Sequence, residues 1–247
     1  MALIQTSSFT LSIYSQGDQN AAKLALVIPG KCDSKDYAHM HSLVDFLATK
    51  GFFALTFDPP GTWGSEGYGN KYSSTNYLKA IDEIIAFYGN KPTLLVGHSR
   101  GGKITIVAGS RNPHIVAYAA IMSQLPERED IKDDKEWKEK GFETTLRALP
   151  PGTGPRVKEF PLPYSFLEDQ NTYFLTPEIK ACTKPKMMVW GKQDTIVPFG
   201  KVKKTYDVLS QPKELHEVDS DHDYWLRPEI MQNINVLVAD FIEKYSL

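Results

Sequence analysis

The chain has 247 residues, 41% of them hydrophobic and 23% charged, with 28 basic against 30 acidic side chains and a net charge of −2. That length suffices for one α/β domain with a large core. The near-neutral balance argues against a nucleic-acid partner or an anionic membrane surface.

Two cysteines, Cys32 and Cys182, build neither a disulfide framework nor a metal-ligand spacing. Free thiols in a reducing compartment are the simpler expectation, although the pair could bridge. Met1 to Asn20 lacks a basic start followed by a continuous apolar stretch, so no secretory signal is expected. No run approaches the roughly 20 apolar residues that span a bilayer. A cytoplasmic protein without membrane association is the expectation, and nothing in the sequence sets an oligomeric state.

In chain order, residues 3–28 read as strands. Phe9, Leu11 and Ile13 alternate with polar neighbours, residues 17–20 form a turn cluster, and Leu24 to Ile28 is a fully apolar run suited to a strand covered on both faces. A helix follows, carrying Tyr37, Met40, Val44 and Leu47 on one face and stopping at Gly51. Phe52 to Phe57 is the next buried strand. Ser73 or Ser74 can cap a helix with a Leu78, Ile81, Ile85, Tyr88 stripe that ends at Gly89. Apolar runs at Leu94 to Val96 and Ile115 to Ile121 predict strands on either side of a helix through Ile104 to Val107.

From about 124 to 183 the texture changes. Residues 127–140 are dense in charge, prolines and glycines crowd 150–163, and aromatics are scattered throughout. This stretch interrupts the strand–helix alternation and reads as an inserted lid too short for a core of its own. Alternation then resumes: a strand over 186–190, a helix with Val202, Tyr206 and Leu209, a last strand with Leu215 and Val218, and a closing helix. That helix has Pro228 in its first turn and Ile230, Ile234, Leu237 and Phe241 along one face. The pattern predicts a single α/β domain over 1–247, a mostly parallel sheet with helices on both faces.

The chemistry concentrates at Gly97-His98-Ser99-Arg100-Gly101, between a buried strand and a helix. Gly-x-Ser-x-Gly there is the spacing of a nucleophile elbow, a turn so tight that it presents the serine hydroxyl clear of the sheet. On these residues the chain resembles the α/β-hydrolases, and the resemblance covers roughly 20–123 and 184–247. A serine nucleophile needs a base in hydrogen-bond reach and a carboxylate to orient that base. Of six histidines only His222 lies in the loop after the final strand. His39 and His41 are two apart on a helix and make a poor metal pair, while His98 occupies a position in such elbows without a base role. Gly191 to Pro198 is similar to the family's G-x-x-D-x-x-V-P acid loop, which assigns Asp194 as the orienting acid. The order Ser99, Asp194, His222 is that of the fold. Asp58 is the rival acid.

Pro29-Gly30-Lys31-Cys32 resembles the family's His-Gly-x loop, with proline for histidine. The resemblance assigns the backbone amides of Lys31 and Arg100 as the oxyanion hole, with Cys32 as the fallback for Lys31. Residues 58–65 resemble the D-x-x-G-x-G-x-S turn, with Trp63 in a place usually held by a smaller or polar residue, and are read as structural, one wall of the site. Residues 136–142 and 164–169 look like the insertion of feruloyl and cinnamoyl esterase-type enzymes. Trp63, Trp137 and Phe142 are the candidate substrate-binding aromatics, although buried aromatics also simply pack.

The expected activity is therefore hydrolysis of carboxylic esters with small or aryl acyl groups, through an acyl-enzyme. No metal or organic cofactor is needed, and the partner is a small-molecule ester. A thioesterase, an amidase or a C–C bond hydrolase on the same residues remains open, as does a non-catalytic ligand-binding homologue.

Overall fold

A computed structural model of the chain describes residues 2–67, 69–131, 133–150 and 156–247. The elements are β1 (Ala2–Gln5), β2 (Thr10–Gln16), β3 (Leu24–Ile28), α1 (Ala38–Thr49), β4 (Phe53–Phe57), α2 (Ser74–Phe87), β5 (Thr93–His98), α3 (Arg100–Arg111) and β6 (Ile115–Ile121). After them come α4 (Lys135–Lys140), β7 (Phe142–Ala148), β8 (Val157–Pro163), α5 (Tyr164–Asn171), α6 (Pro177–Lys180), β9 (Lys186–Gly191), α7 (Phe199–Val208), β10 (Lys213–Val218) and α8 (Pro228–Tyr245).

Eight strands form one sheet in the order β1-β2-β4-β3-β5-β6-β9-β10. The β1–β2 and β2–β4 pairs are antiparallel and every other pair is parallel. The fully apolar β3 run is explained by its place inside the sheet. Leu24, Leu26 and Ile28 face one core with Tyr77, Ile81, Ile104 and Val202, while Ala25 and Val27 face the other with Met40, Val44, Ile230 and Ile234. Helices α2, α3 and α7 thus cover one face, and α1 and α8 the other.

Local signals explain most boundaries. Ser73 caps α2 by accepting from the Asn76 amide, 3.0 Å away. Pro228 opens α8, where its missing N–H costs nothing. On α2 the buried arc is Tyr77, Ala80, Ile81, Ile84 and Ile85, wider than the expected stripe, with Leu78 and Tyr88 at its edges.

The insertion differs more. It holds an antiparallel β7–β8 hairpin, a ladder that the prolines of 150–163 argue against on sequence. Pro161 and Pro163 are tolerated because both strands of a two-stranded ribbon are edges. Part of the proline-rich stretch, residues 151–155, lies outside the described residues. Trp137, Phe160, Leu162, Phe166, Leu167 and Ile179 join the α2–α3 core, so the insertion completes the domain's core instead of building its own.

Candidate active site

Ser99 sits between β5 and α3 with φ 52° and ψ −121°, a strained conformation for a residue with a Cβ. The turn survives because its neighbours are bare. A Cβ on Gly97 would strike the Gly101 carbonyl, and one on Gly101 would strike the carbonyl oxygens of Ile28 and Pro29. The Ser99 amide donates to Ile121 O at 2.9 Å, tying the elbow to the neighbouring strand.

Three loops at the carboxyl ends of β5, β9 and β10 then meet. Ser99 Oγ lies 2.8 Å from His222 Nε2, and His222 Nδ1 lies 2.8 Å from Asp194 Oδ2. Asp194 Oδ1 accepts from the amides of Ile196 at 2.9 Å and Val197 at 2.8 Å. Burial pushes the Asp194 carboxyl up, but the hydrogen bonds from His222 and these amides outweigh it and hold the group below its ordinary value. An ionised carboxylate only accepts, so Nδ1 carries the ring proton and Nε2 is left to receive the Ser99 hydroxyl. His98 Nε2 lies 3.0 Å from the main-chain oxygen of His222, which ties the loop after β10 to the elbow.

The loop after β3 lies beside Ser99. Its Cys32 amide donates to Tyr72 Oη at 3.0 Å and its Asp33 amide to Gly30 O at 3.3 Å, so the Cys32 fallback is already engaged. Among the described residues the Lys31 amide has no acceptor, and the Arg100 amide, first in α3, has none within its helix. Side chains from distant elements hold this loop in place. Tyr77 Oη donates to Pro29 O at 2.9 Å, and Arg147 of β7 donates through Nε to Lys31 O at 2.7 Å. The same Nε stands 3.1 Å from Asp33 Oδ1. Burial raises the Asp33 carboxyl, and the nearby His98 ring and Arg147 guanidinium outweigh it and bring it down.

A family model described as the alpha/beta hydrolase fold matches residues 26–156. The chain belongs to that family. The rat mitochondrial palmitoyl-protein thioesterase ABHD10 is 25% identical over 241 residues, covering 90% of this chain and 75% of the relative. The solved structure of mouse alpha/beta hydrolase domain-containing protein 10 superposes with a TM-score of 0.78 at 20% identity, over 99% of this chain and 98% of that one. Est1E from Butyrivibrio proteoclasticus, solved with ferulic acid bound, gives 0.74 at 18% identity over 98% and 100%. At these identities the solved structures speak for the fold alone.

In this hydrolase a cavity of about 330 Å³ opens beside Ser99. Besides Ser99 its polar lining is Arg100, Lys103, Ser123, Gln124, Asp130, Gln170 and Asn171, its apolar lining is Pro126, Ile131, Leu167 and Val197, and none of the three aromatics singled out from sequence borders it. Trp63 instead donates from Nε1 to Cys32 O at 2.9 Å and packs edge-on against Phe160, which buttresses the loop after β3. Trp137 donates to Leu162 O at 3.1 Å and stacks on Phe166, with Lys31 Nζ 5.5 Å from its ring. Phe142 is 43% exposed and lines, with Trp137, a separate cavity on the insertion. Long-range packing decided these placements, and aromatic character alone carries no information about direction.

Asp58, the rival acid, is buried in its own turn. It accepts from Ser34 Oγ, the Lys35 amide and the Gly64 amide, which makes the 58–65 segment a structural corner. One group among the described residues has donor atoms close enough for a cation, Asp33, His39 and His98, all within 4.8 Å of one another. His39 reached it because α1 buries it, whereas His41 stacks on Tyr14. Burial first, then the neighbouring His98, drives the His39 ring down to about 3, so it is neutral. Among the described residues no helix is long and apolar enough to cross a membrane. Both cysteines are free thiols.

Tyr72, Tyr77, Asp33, Lys103 and Arg147 were not singled out from sequence. Asp33 and Lys103 sit next to motifs, within reach of a closer reading. Tyr72, Tyr77 and Arg147 come from distant elements and carry no local signal.

Proposed function

We propose that the protein is a serine hydrolase that cleaves carboxylic esters of small or aryl acyl groups through an acyl-enzyme. The observation that carries this reading is the pair of 2.8 Å contacts linking Asp194, His222 and Ser99. Ser99 Oγ attacks the carbonyl while His222 Nε2 takes its proton. Asp194 keeps the imidazole in the accepting tautomer and stabilises the cation that forms. The amides of Lys31 and Arg100 hold the oxyanion, helped by the positive end of α3. His222 then returns the proton to the leaving alcohol, and water repeats the sequence to release the acid. Every step uses side chains and amides of this chain.

A thioester is the second reading, favoured by the palmitoyl-protein thioesterase named among the relatives. The cavity beside Ser99 mixes Pro126, Ile131, Leu167 and Val197 with its polar groups, and its volume of about 330 Å³ suits a short acyl group in either case. A substrate pair sharing one short acyl group, on oxygen and on sulfur, separates ester from thioester. A cytoplasmic location is kept as part of this reading; the free thiols fit any reducing compartment, and the rat and mouse relatives are mitochondrial proteins.

The test is labelling. A fluorophosphonate should modify the protein once, on the peptide carrying Ser99, and a p-nitrophenyl short-chain ester should give a burst of nitrophenol near one per chain. A label that persists undiminished in Ser99→Ala refutes the reading.

Arg147 is expected to act as a positioning residue. Arg147→Met frees the Lys31 carbonyl and lets the neighbouring donor amide drift, so kcat should fall about ten- to a hundredfold with KM little changed. Arg147→Lys should recover part of the loss. A rise in KM at constant kcat would place Arg147 in substrate binding instead.

A further inference from the structure

Two cations on the first turn of α3 have no carboxylate partner within 4 Å among the described residues. Arg100 is 7% exposed. Its guanidinium is spent on neutral groups, donating to Gln170 Oε1 and, at 3.0 Å, to Ser74 Oγ, while its Nε has no partner. It also stacks on Phe166, 4.3 Å from the ring centroid. Lys103, three residues on, is half-buried and donates to the Gln170 carbonyl at 3.2 Å. Asp169 of α5 is near, but its oxygens accept from Ser74 and Thr75 at the start of α2. Asp130, also on the cavity wall, is paired with Lys204.

Uncompensated charge in a partly desolvated wall is costly, and a ligand of opposite sign relieves the cost. Both residues line the cavity that opens on Ser99.

We infer that this cavity is a subsite for an anionic group, a carboxylate or sulfonate, carried by the substrate a few bonds from the scissile carbonyl, with Lys103 as its principal contact. The inference rests on the serine-hydrolase reading for its chemistry and adds the substrate class. Arg100 supplies fixed positive potential, and Lys103 supplies a flexible donor that can turn into the cavity from Gln170. The neutral polar groups Ser123, Gln124 and Asn171 can take the remaining hydrogen bonds. Lys103 is held down to about 7 by burial first and by Arg100 second, against an opposing pull from Asp169. Its charge, and with it the preference for an anion, is full at lower pH and declines as pH rises through 7.

The test compares p-nitrophenyl hemiglutarate with p-nitrophenyl pentanoate for an acyl-side anion, and phenyl butyrate with its 4-sulfonate for a leaving-group anion. The expected result is a preference in kcat/KM of about ten- to a hundredfold for one anionic member. That ratio should shrink above pH 7 and with added salt, collapse in Lys103→Met, and persist in Lys103→Arg. Calorimetric binding of the same esters to the Ser99→Ala protein reads the subsite without turnover. Tighter binding of the anionic ester with no hydrolysis by the wild type would sink the enzymatic reading and leave the subsite standing. Hydrolysis and binding without anion preference, or equal losses on both esters in Lys103→Met, would overturn the subsite.

Discussion

Replacing His222 with alanine is expected to lower kcat on a short aryl ester by about 10⁵- to 10⁶-fold, and adding Ser99→Ala should then cost almost nothing further. The reason is that in the proposed mechanism Ser99 Oγ and His222 Nε2, 2.8 Å apart, work as one unit. A hydroxyl does not lose its proton unaided at neutral pH, so without the imidazole the serine is inert, and without the serine the imidazole has nothing to activate. The oxyanion amides and the cavity survive both changes, so KM should stay within a fewfold and some rate above water should remain. Steady-state kinetics on the two single variants and the double variant checks this. Multiplying losses would mean that the residues act separately, and a His222→Ala protein within a hundredfold of wild type would remove the base from the mechanism.

The parts of this site legible in the sequence are those encoded by contiguous residues. The elbow is written locally because its glycines answer to collisions with Ile28, Pro29 and Gly101 that any strand-to-helix turn of this shape imposes. The acid loop is equally local, since Asp194 is fixed by amides two and three residues on. His222 was found by its place in the order of strands. The fold followed from the same periodicities, down to the two-faced burial of β3.

What was not legible depends on meetings between distant segments. Arg147 reaches the loop after β3 from a hairpin whose second strand holds Pro161 and Pro163, and the ladder forms because neither strand has a second neighbour to satisfy. Tyr72 and Tyr77 reach the same loop from beyond β4, at Cys32 N and Pro29 O. The aromatics carry no local sign of direction: Trp63 and Trp137 spend their indole N–H groups on main-chain carbonyls, Phe142 is exposed, and the cavity beside Ser99 is lined by polar side chains together with Pro126, Ile131, Leu167 and Val197. Arg100 shows the same limit from the other side. Its amide was readable as an oxyanion donor, whereas its side chain, laid against Phe166 and Gln170, clamps the insertion to α3.

Asp194→Asn is expected to cost about 10⁴-fold in kcat while leaving the site's shape intact. The carboxylate lies 2.8 Å from His222 Nδ1 and, held ionised below the ordinary carboxylate range, can only accept there. An amide at the same place can present its NH₂ to Nδ1, which moves the ring proton to Nε2. The nitrogen facing Ser99 Oγ then carries a hydrogen and cannot receive another. The loss is therefore one of tautomer, and it should appear in kcat with KM and the melting temperature nearly unchanged. Asp58→Asn supplies the contrast. Asp58 accepts from Lys35, Ser34 and Gly64, with no histidine among these partners. An amide there should lower the melting temperature by disturbing a buried corner while the folded fraction keeps its kcat. If the two variants exchanged these signatures, the orienting acid would be Asp58, and the 2.8 Å contact between Asp194 and His222 would be structural.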